Sequence, residues 1–425
     1  MTRGRHLGPG TGNEGRLDRR LLLLVASSVV AIGAVLGLAV VRAEDGAVEV
    51  SVSAPVTTGD TAGAPSTGEP AVPASPVTRP AKPPKGSTSI SLAFAGDLLP
   101  HMAVNDQARA YGAESGAAYD FGPMLAPMKS IISGADVAIC HMEVPLAPPG
   151  EAISSYPAFG APPELVDAVK SVGYDGCSNS SNHSLDRGRA GIAATLDRFD
   201  RNGLRHAGTA RTAEEGDSIT VYDVKGVKVA HLSYAYDFNG YKVPADAPWA
   251  VDQIDPARIK ADAGAARAAG ANLVVVSLHW GTEYDSAPSQ YQRDVAAQIL
   301  PSADIDLVIG CHAHVVQPIE QVGGTYVVWG MGNQLSNMTQ APRRDGITVR
   351  ATAAVDANGR WKVSGVEAIP TWVDLGSFRV LPVVDALADR KTPATLRAEL
   401  SGSYDRSAAI VTGVKTPGVT LAAKP

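Results

Sequence analysis

The chain has 425 residues, 45% of them hydrophobic, which is enough for one large folded domain or two ordinary ones. A formal net charge of -6 excludes the strongly basic face that a phosphate backbone selects, and with it nucleic acid as a partner. Three cysteines cannot all pair; Cys140, Cys177 and Cys311 read as buried thiols at strand ends, with one disulfide or a metal ligand as the alternatives.

The first segment, 1–20, is basic, with Arg3, Arg5, Arg16, Arg19 and Arg20. Leu21 to Val41 then runs without a charge and has no polar face. As a helix at ~1.5 Å per residue it spans roughly 31 Å, close to the hydrocarbon thickness of a bilayer. The apolar region of a cleaved signal peptide is shorter, about 7–15 residues. The expectation is one uncleaved transmembrane helix over 21–41. The positive-inside rule then sets the N-terminus in the cytoplasm and the rest of the chain outside the cell membrane.

Residues 42–86 read as a Pro/Ser/Thr-rich disordered linker. No Phe, Trp or Tyr occurs before Phe94, so this stretch cannot bury enough apolar surface to offset the entropy of ordering it. Its prolines favour an extended stalk.

From residue 87 short apolar runs alternate with helical stretches. Strands are expected at Ser89–Ala95, Ala135–Cys140, around Gly176, at Leu273–Leu278 and at Leu307–Ile309. Helices are expected at Met102–Tyr111, Pro163–Val172, Gly191–Asn202, Pro256–Ala269 and Gln290–Leu300. Hairpins are expected around Lys225-Gly226, Gly323-Gly324 and Asn358-Gly359. Alternating β and α followed by hairpins predicts an α/β domain with mixed sheets and helices outside. The domain is expected over 87–380, followed by a C-terminal extension, 381–425, with one helix at Pro393–Leu400 and a loose polar end.

Several short segments share one design, in which an apolar strand runs into a potential metal ligand, most often through a glycine. They are Gly96-Asp97-Leu98-Leu99-Pro100-His101, Cys140-His141-Met142-Glu143, Ser181-Asn182-His183-Ser184-Leu185-Asp186-Arg187-Gly188, His279-Trp280-Gly281-Thr282-Glu283-Tyr284, Gly310-Cys311-His312-Ala313-His314 and Gly330-Met331-Gly332-Asn333, with Tyr234-Ala235-Tyr236 a weaker seventh. Six of the nine histidines fall in these segments. Imidazole and carboxylate suit divalent transition ions. Ligands at the carboxyl ends of successive strands converge on one crevice in open α/β sheets. His312 and His314 share a face if their strand continues through them.

Together and in this order, the motifs resemble the CapA family of capsule or poly-γ-glutamate biosynthesis proteins, within the calcineurin-like metallophosphatase superfamily. The resemblance covers about residues 88–380. It implies a four-layer sandwich of two mixed β-sheets flanked by helices, holding one or two divalent metal ions, with Mn, Zn and Fe not distinguished. By position, Asp97 and His314 belong to the first ion and Glu143 to the bridge. Asn182, His279 and His312 belong to the second. His183 is the implied proton donor to a leaving group. Asp186 and Glu283 orient ligand imidazoles or bound water. Position 99 is Leu where the superfamily's first motif has His; His101 is the expected substitute, with His141 the other candidate.

The function implied is a metal-dependent, phosphoesterase-like hydrolase in capsule or poly-γ-glutamate biosynthesis or export. Its substrate would be a phosphoester or an anionic envelope polymer, and its partners the subunits of a membrane polymer synthase. The alternative is a non-catalytic metal-binding component of such a complex.

Overall fold

The computed structural model describes residues 89–425; the basic segment, the anchor and the linker of the sequence reading lie outside the described residues. Among the described residues, no helix is long and apolar enough to cross a membrane.

Four strands open the first sheet: β1 (Ser89–Leu98), β2 (Val137–Met142), β3 (Gly176–Ser178) and β4 (Arg205–Ala207). The chain then builds the second sheet from β5 (Thr220–Val224), β6 (Val227–Ala235), β7 (Leu273–His279), β8 (Leu307–Cys311), β9 (Ile319–Val322) and β10 (Thr325–Val328). It returns to the first sheet with β11 (Asn333–Leu335), β12 (Asp345–Val355), β13 (Trp361–Asp374), β14 (Arg379–Pro382) and β15 (Val419–Leu421). The first sheet runs β14-β13-β12-β1-β2-β3-β4, with β11 on β1 and β15 on β13; the second runs β5-β6-β7-β8-β10-β9. Both are mixed. Strands β1 to β4 are parallel to one another while β12 is antiparallel to β1, and β6, β7 and β8 are parallel while β5 is antiparallel to β6.

The alternation of side chains along β1 shows how the layers stack. Ile90, Leu92 and Phe94 point into a core shared with Val229, Val275 and Ile309 of the second sheet. Ala93 and Ala95 point the other way, into the layer that packs Val104, Leu165 and Ile192. Those come from helices α1 (Met102–Ser115), α2 (Glu164–Val172) and α3 (Gly188–Arg201). The outer face of the second sheet buries Val274, Val276 and Val308 under Ile259 and Ile299 of α4 (Pro256–Ala268) and α5 (Gln290–Ile299). Two sheets face to face with helices outside make the expected four layers.

Local sequence explains the boundaries. Helix α2 buries Leu165, Val166, Val169 and Val172 on one stripe, carries Glu164 and Asp167 in its first turn, and stops at Gly173 in the left-handed region. Helix α5 opens with a capping box, Ser289 and Gln292 exchanging side-chain and backbone bonds. The β5–β6 hairpin turns on Lys225 and Gly226, both at positive φ, as a two-residue turn of the I′ kind requires.

Two expectations are corrected here. The C-terminal end is not loose: helix α6 (Ala394–Gly413) runs a full turn and more past Leu400, and β15 adds in parallel to β13. Cys140 and Cys177 are not thiols. They sit opposite each other on β2 and β3 and form a disulfide, which leaves Cys311 buried and free.

Candidate metal centre

The parallel strands of both sheets point their carboxyl ends at one place. Asp97 is the ninth residue of β1, His141 and Glu143 flank the end of β2, and Asn182 and His183 follow β3. His279 ends β7, and His312 and His314 follow β8. Gly96 is needed at the first of these points, because a Cβ there would collide with the Gly332 carbonyl, to which the Asp97 N–H donates at 3.0 Å.

His312 and His314 reach the site by a different route from the one the sequence suggests. Strand β8 stops at Cys311, and both histidines lie in a turn at positive φ, 95° and 56°. For side chains with a Cβ this backbone is costly, and it is held only where the surroundings dictate it. The turn brings the two rings to 6.0 Å between centroids and His312 to 4.6 Å from His279.

The side chains gather into overlapping groups, each with one ligand atom per residue within 4.8 Å of the others: Asp97, Glu143 and His314; Glu143, His279 and His312; Glu283, His312 and His314; and Asp97, His141 and Cys311. Glu143 is shared by the first two, the position a bridging carboxylate takes. Asn182 belongs with the second, its Oδ1 2.9 Å from His279 Nε2. His101 does not join any group. Its Nδ1 accepts the Asn337 N–H at 3.3 Å and its ring packs edge-on against Phe159.

The electrostatics suit a cation. Both carboxylate oxygens of Glu143 are buried without a hydrogen-bond partner, and His314 and His279 approach only to 3.6 and 4.0 Å. Burial pushes the Glu143 carboxyl well above its ordinary range. A buried carboxylate left so costs several kcal/mol in general terms unless a positive charge meets it. Burial, reinforced by neighbouring imidazoles, holds His279 well down and His312 at about 3, so both are neutral, with a nitrogen lone pair to give. His314 resists its burial: Glu143 and Asp97 raise it to about 9, and its Nδ1 lies 3.1 Å from Asp97 Oδ2. A divalent ion would replace that proton. The donor set therefore fits divalent metal.

His183 stands beside these groups. Its Nδ1–H donates to Asp186 Oδ2 at 2.7 Å, and Asn182 and Asn239 join side chains at 3.1 Å above it. Asn182, His183 and Asn239, with Glu283, Tyr284 and His314, line a cavity of about 580 Å³. Exposed tyrosines 156, 241 and 284 lie on its rim. Arg343 stacks on the Tyr284 ring at 3.4 Å.

Residues outside the expected ligand set complete the centre. Cys311, expected as a buried thiol with metal ligation as one alternative, is buried and free and has Asp97 and His141 as neighbours. Asn239, which bonds Asn182 and lies 3.3 Å from His183 Nδ1, sits in a turn whose Asn-Gly dipeptide was the available signal. Tyr236 packs on His312 with ring centroids 4.7 Å apart.

Residues 91–338 match the family model described as bacterial capsule synthesis protein PGA_cap. The chain belongs to this family. Its matched span contains every residue of the centre from Asp97 to Asn333. Within it the chain is 28% identical over 238 residues to the PGA biosynthesis protein CapA of Bacillus subtilis, covering 53% of this chain and 60% of that protein. It is 29% identical over 178 residues to the capsule biosynthesis protein CapA of Bacillus anthracis, covering 41% of this chain and 43% of that one. The chain thus spans about half the length of these relatives. Among solved structures, a calcineurin-like phosphoesterase from Bacillus subtilis is similar at 14% identity and a TM-score of 0.42, over 75% of this chain and 98% of that one.

Proposed function

We propose that this PGA_cap protein is a divalent-metal-dependent hydrolase that cleaves a phosphoester or related bond in capsule or poly-γ-glutamate material. The observation that carries this reading is Glu143. A fully buried carboxyl with both oxygens unpartnered must either keep its proton or meet a cation, and the imidazole and carboxylate donors gathered around Glu143 are the set that a divalent cation takes. Asp97, Glu143 and His314 would hold one ion, and Glu143, Asn182, His279 and His312 another.

A pair of divalent ions supplies Lewis-acid activation of water and of a phosphoryl oxygen. The chain's own residues do the rest. Asp186 fixes His183 through its Nδ1–H, which leaves Nε2 of the imidazolium to hand its proton to the leaving oxygen, the ring ending neutral with Nδ1–H still on Asp186. Glu283, exposed at the cavity wall, orients the imidazoles of its group or a bound water. Residues 21–41 serve as the membrane anchor with the domain outside the cell. The Cys140–Cys177 disulfide supports that side of the membrane, since disulfides persist in oxidising compartments.

A second reading, a non-catalytic metal-binding component of a polymer synthesis or export complex, draws on the biosynthetic names of the relatives. The test is turnover of generic phosphomonoesters and phosphodiesters by the purified chain with Mn²⁺, Zn²⁺ or Fe²⁺, with and without chelator. Metal-dependent turnover that His183→Ala removes supports the hydrolase. Bound metal without turnover, together with saturable binding of poly-γ-glutamate, establishes the second reading instead.

A further inference from the structure

The two cation positions are unevenly furnished. Around Glu143, His279 and His312 a fourth donor is at hand in Asn182 Oδ1. Around Asp97, Glu143 and His314 the loop after β1 offers none. Leu99 is buried hydrocarbon, and its N–H is taken by the Leu335 carbonyl at 2.9 Å. His101 is occupied with Asn337.

The donors that do reach Asp97 come from the strands beneath it. His141 stands opposite Asp97 in the β1–β2 pairing, with its Nδ1 2.8 Å from Ser178 Oγ and its Nε2 3.9 Å from Asp97 Oδ1 and 2.9 Å from His279 Nδ1, a contact that an ion taken by Nε2 would replace. Cys311 closes β8, and its Sγ lies within 4.8 Å of both the Asp97 and the His141 ligand atoms. Asp97 therefore turns Oδ1 towards this pair while Oδ2 faces His314. All three residues are buried. With Cys140 and Cys177 joined, Cys311 is the one free thiol, and it is packed against potential ligands rather than alone in the core.

We propose, resting on the metal-dependent reading above, that Cys311 and His141 ligate the ion held by Asp97 and stand in for the histidine that Leu99 displaces. The position then becomes a carboxylate–imidazole–thiolate site. A thiolate is a soft donor that favours Zn²⁺, Fe²⁺ or Co²⁺ over Mg²⁺ or Ca²⁺. Binding releases the Sγ proton to water, and the metal–sulfur bond takes its place. The thiolate, Asp97 and Glu143 together offset most of the charge of two divalent ions, which an interior this dry demands.

The experiment is a Co²⁺ titration of the full-length, metal-stripped protein without reductant, so that the disulfide stays closed. The expected result is an intense near-ultraviolet thiolate-to-cobalt charge-transfer band that grows with binding. Cys311→Ser removes that band, retains the visible cobalt absorption of the other position, and holds fewer ions per chain. Wild-type protein that binds Co²⁺ with visible absorption alone overturns the assignment and leaves the metal-dependent reading standing. Wild-type protein that binds no Co²⁺ sinks both. Because the wild-type spectrum decides the matter by itself, a Cys311→Ser chain that misfolds by circular dichroism does not rescue the idea.

Discussion

Asp186 Oδ2 accepts the His183 Nδ1–H at 2.7 Å and the Phe159 backbone N–H at the same distance, so one buried oxygen fixes both a catalytic candidate and the cavity wall beside it. The arrangement predicts a separation of roles. His183→Ala lowers phosphoester turnover by about 10²–10⁴-fold, the usual weight of a positioned acid. Asp186→Asn lowers it by about 10–100-fold, the usual weight of a residue that orients another. Metal content by plasma mass spectrometry stays near wild type in both. Loss of metal in His183→Ala would show that His183 is a ligand and not a proton donor.

Glu143 is expected to trade stability for metal. In chelator, Glu143→Leu replaces a buried, unpartnered carboxyl with hydrocarbon and raises unfolding stability by about 1–3 kcal/mol. Metal at ~100 times its dissociation constant stabilises wild type by about 2.7 kcal/mol, and the variant by much less. Denaturant unfolding with and without metal measures both. Equal stability of the two metal-free proteins would mean that Glu143 already has a partner.

The turn after β8 gives a test of backbone strain that does not depend on turnover. At φ 95° His312 occupies a conformation that favours glycine. Both His312→Gly and His312→Ala delete the imidazole, so their difference isolates the backbone. The glycine variant is expected to be the more stable by about 1 kcal/mol in chelator, despite the greater freedom glycine has when unfolded. The opposite order would place the cost elsewhere.

Much of the centre was legible because strand ends write themselves plainly. Gly96-Asp97, His279-Trp280-Gly281 and Gly310-x-His312-x-His314 each couple an apolar run to a ligand, and parallel strands bring such ends to one crevice. What the sequence hid depends on pairing and on local conformation. The Cys140–Cys177 bond needs the β2–β3 register, which places the two residues opposite each other. The turn at His312 and His314 is spelled like a continuing strand. His101 was the natural substitute for the histidine missing at 99 by spacing alone, yet the start of α1 holds it to Asn337. Helix α6 was missed beyond Leu400 because its buried stripe continues as Ser403, Ser407 and Val411, and small polar residues carry little periodic signal.

His231 provides a pH prediction at a residue outside the candidate ligand groups. Its Nε2 bonds Ser277 Oγ at 2.9 Å, its Nδ1 has no partner, and burial holds it at about 3 against an ordinary 6.5. The folded state then binds fewer protons here than the unfolded chain, so this contribution is present above about pH 6.5 and is lost as the pH falls towards 3. At 1.36 kcal/mol per unit it amounts to ~2 kcal/mol by pH 5. His231→Gln is expected to flatten that part of the acid limb in chelator. Parallel stability curves for the two proteins between about pH 7 and pH 5 would remove His231 from the explanation.

The most direct measurement is the metal content of the full-length chain, purified and then dialysed against Mn²⁺, Zn²⁺ and Fe²⁺ in turn, beside Glu143→Ala treated identically. At least one ion retained per wild-type chain, and a clear loss in the variant, is the predicted result. Wild-type protein that retains no more metal than Glu143→Ala would contradict the metal centre and the hydrolase built on it.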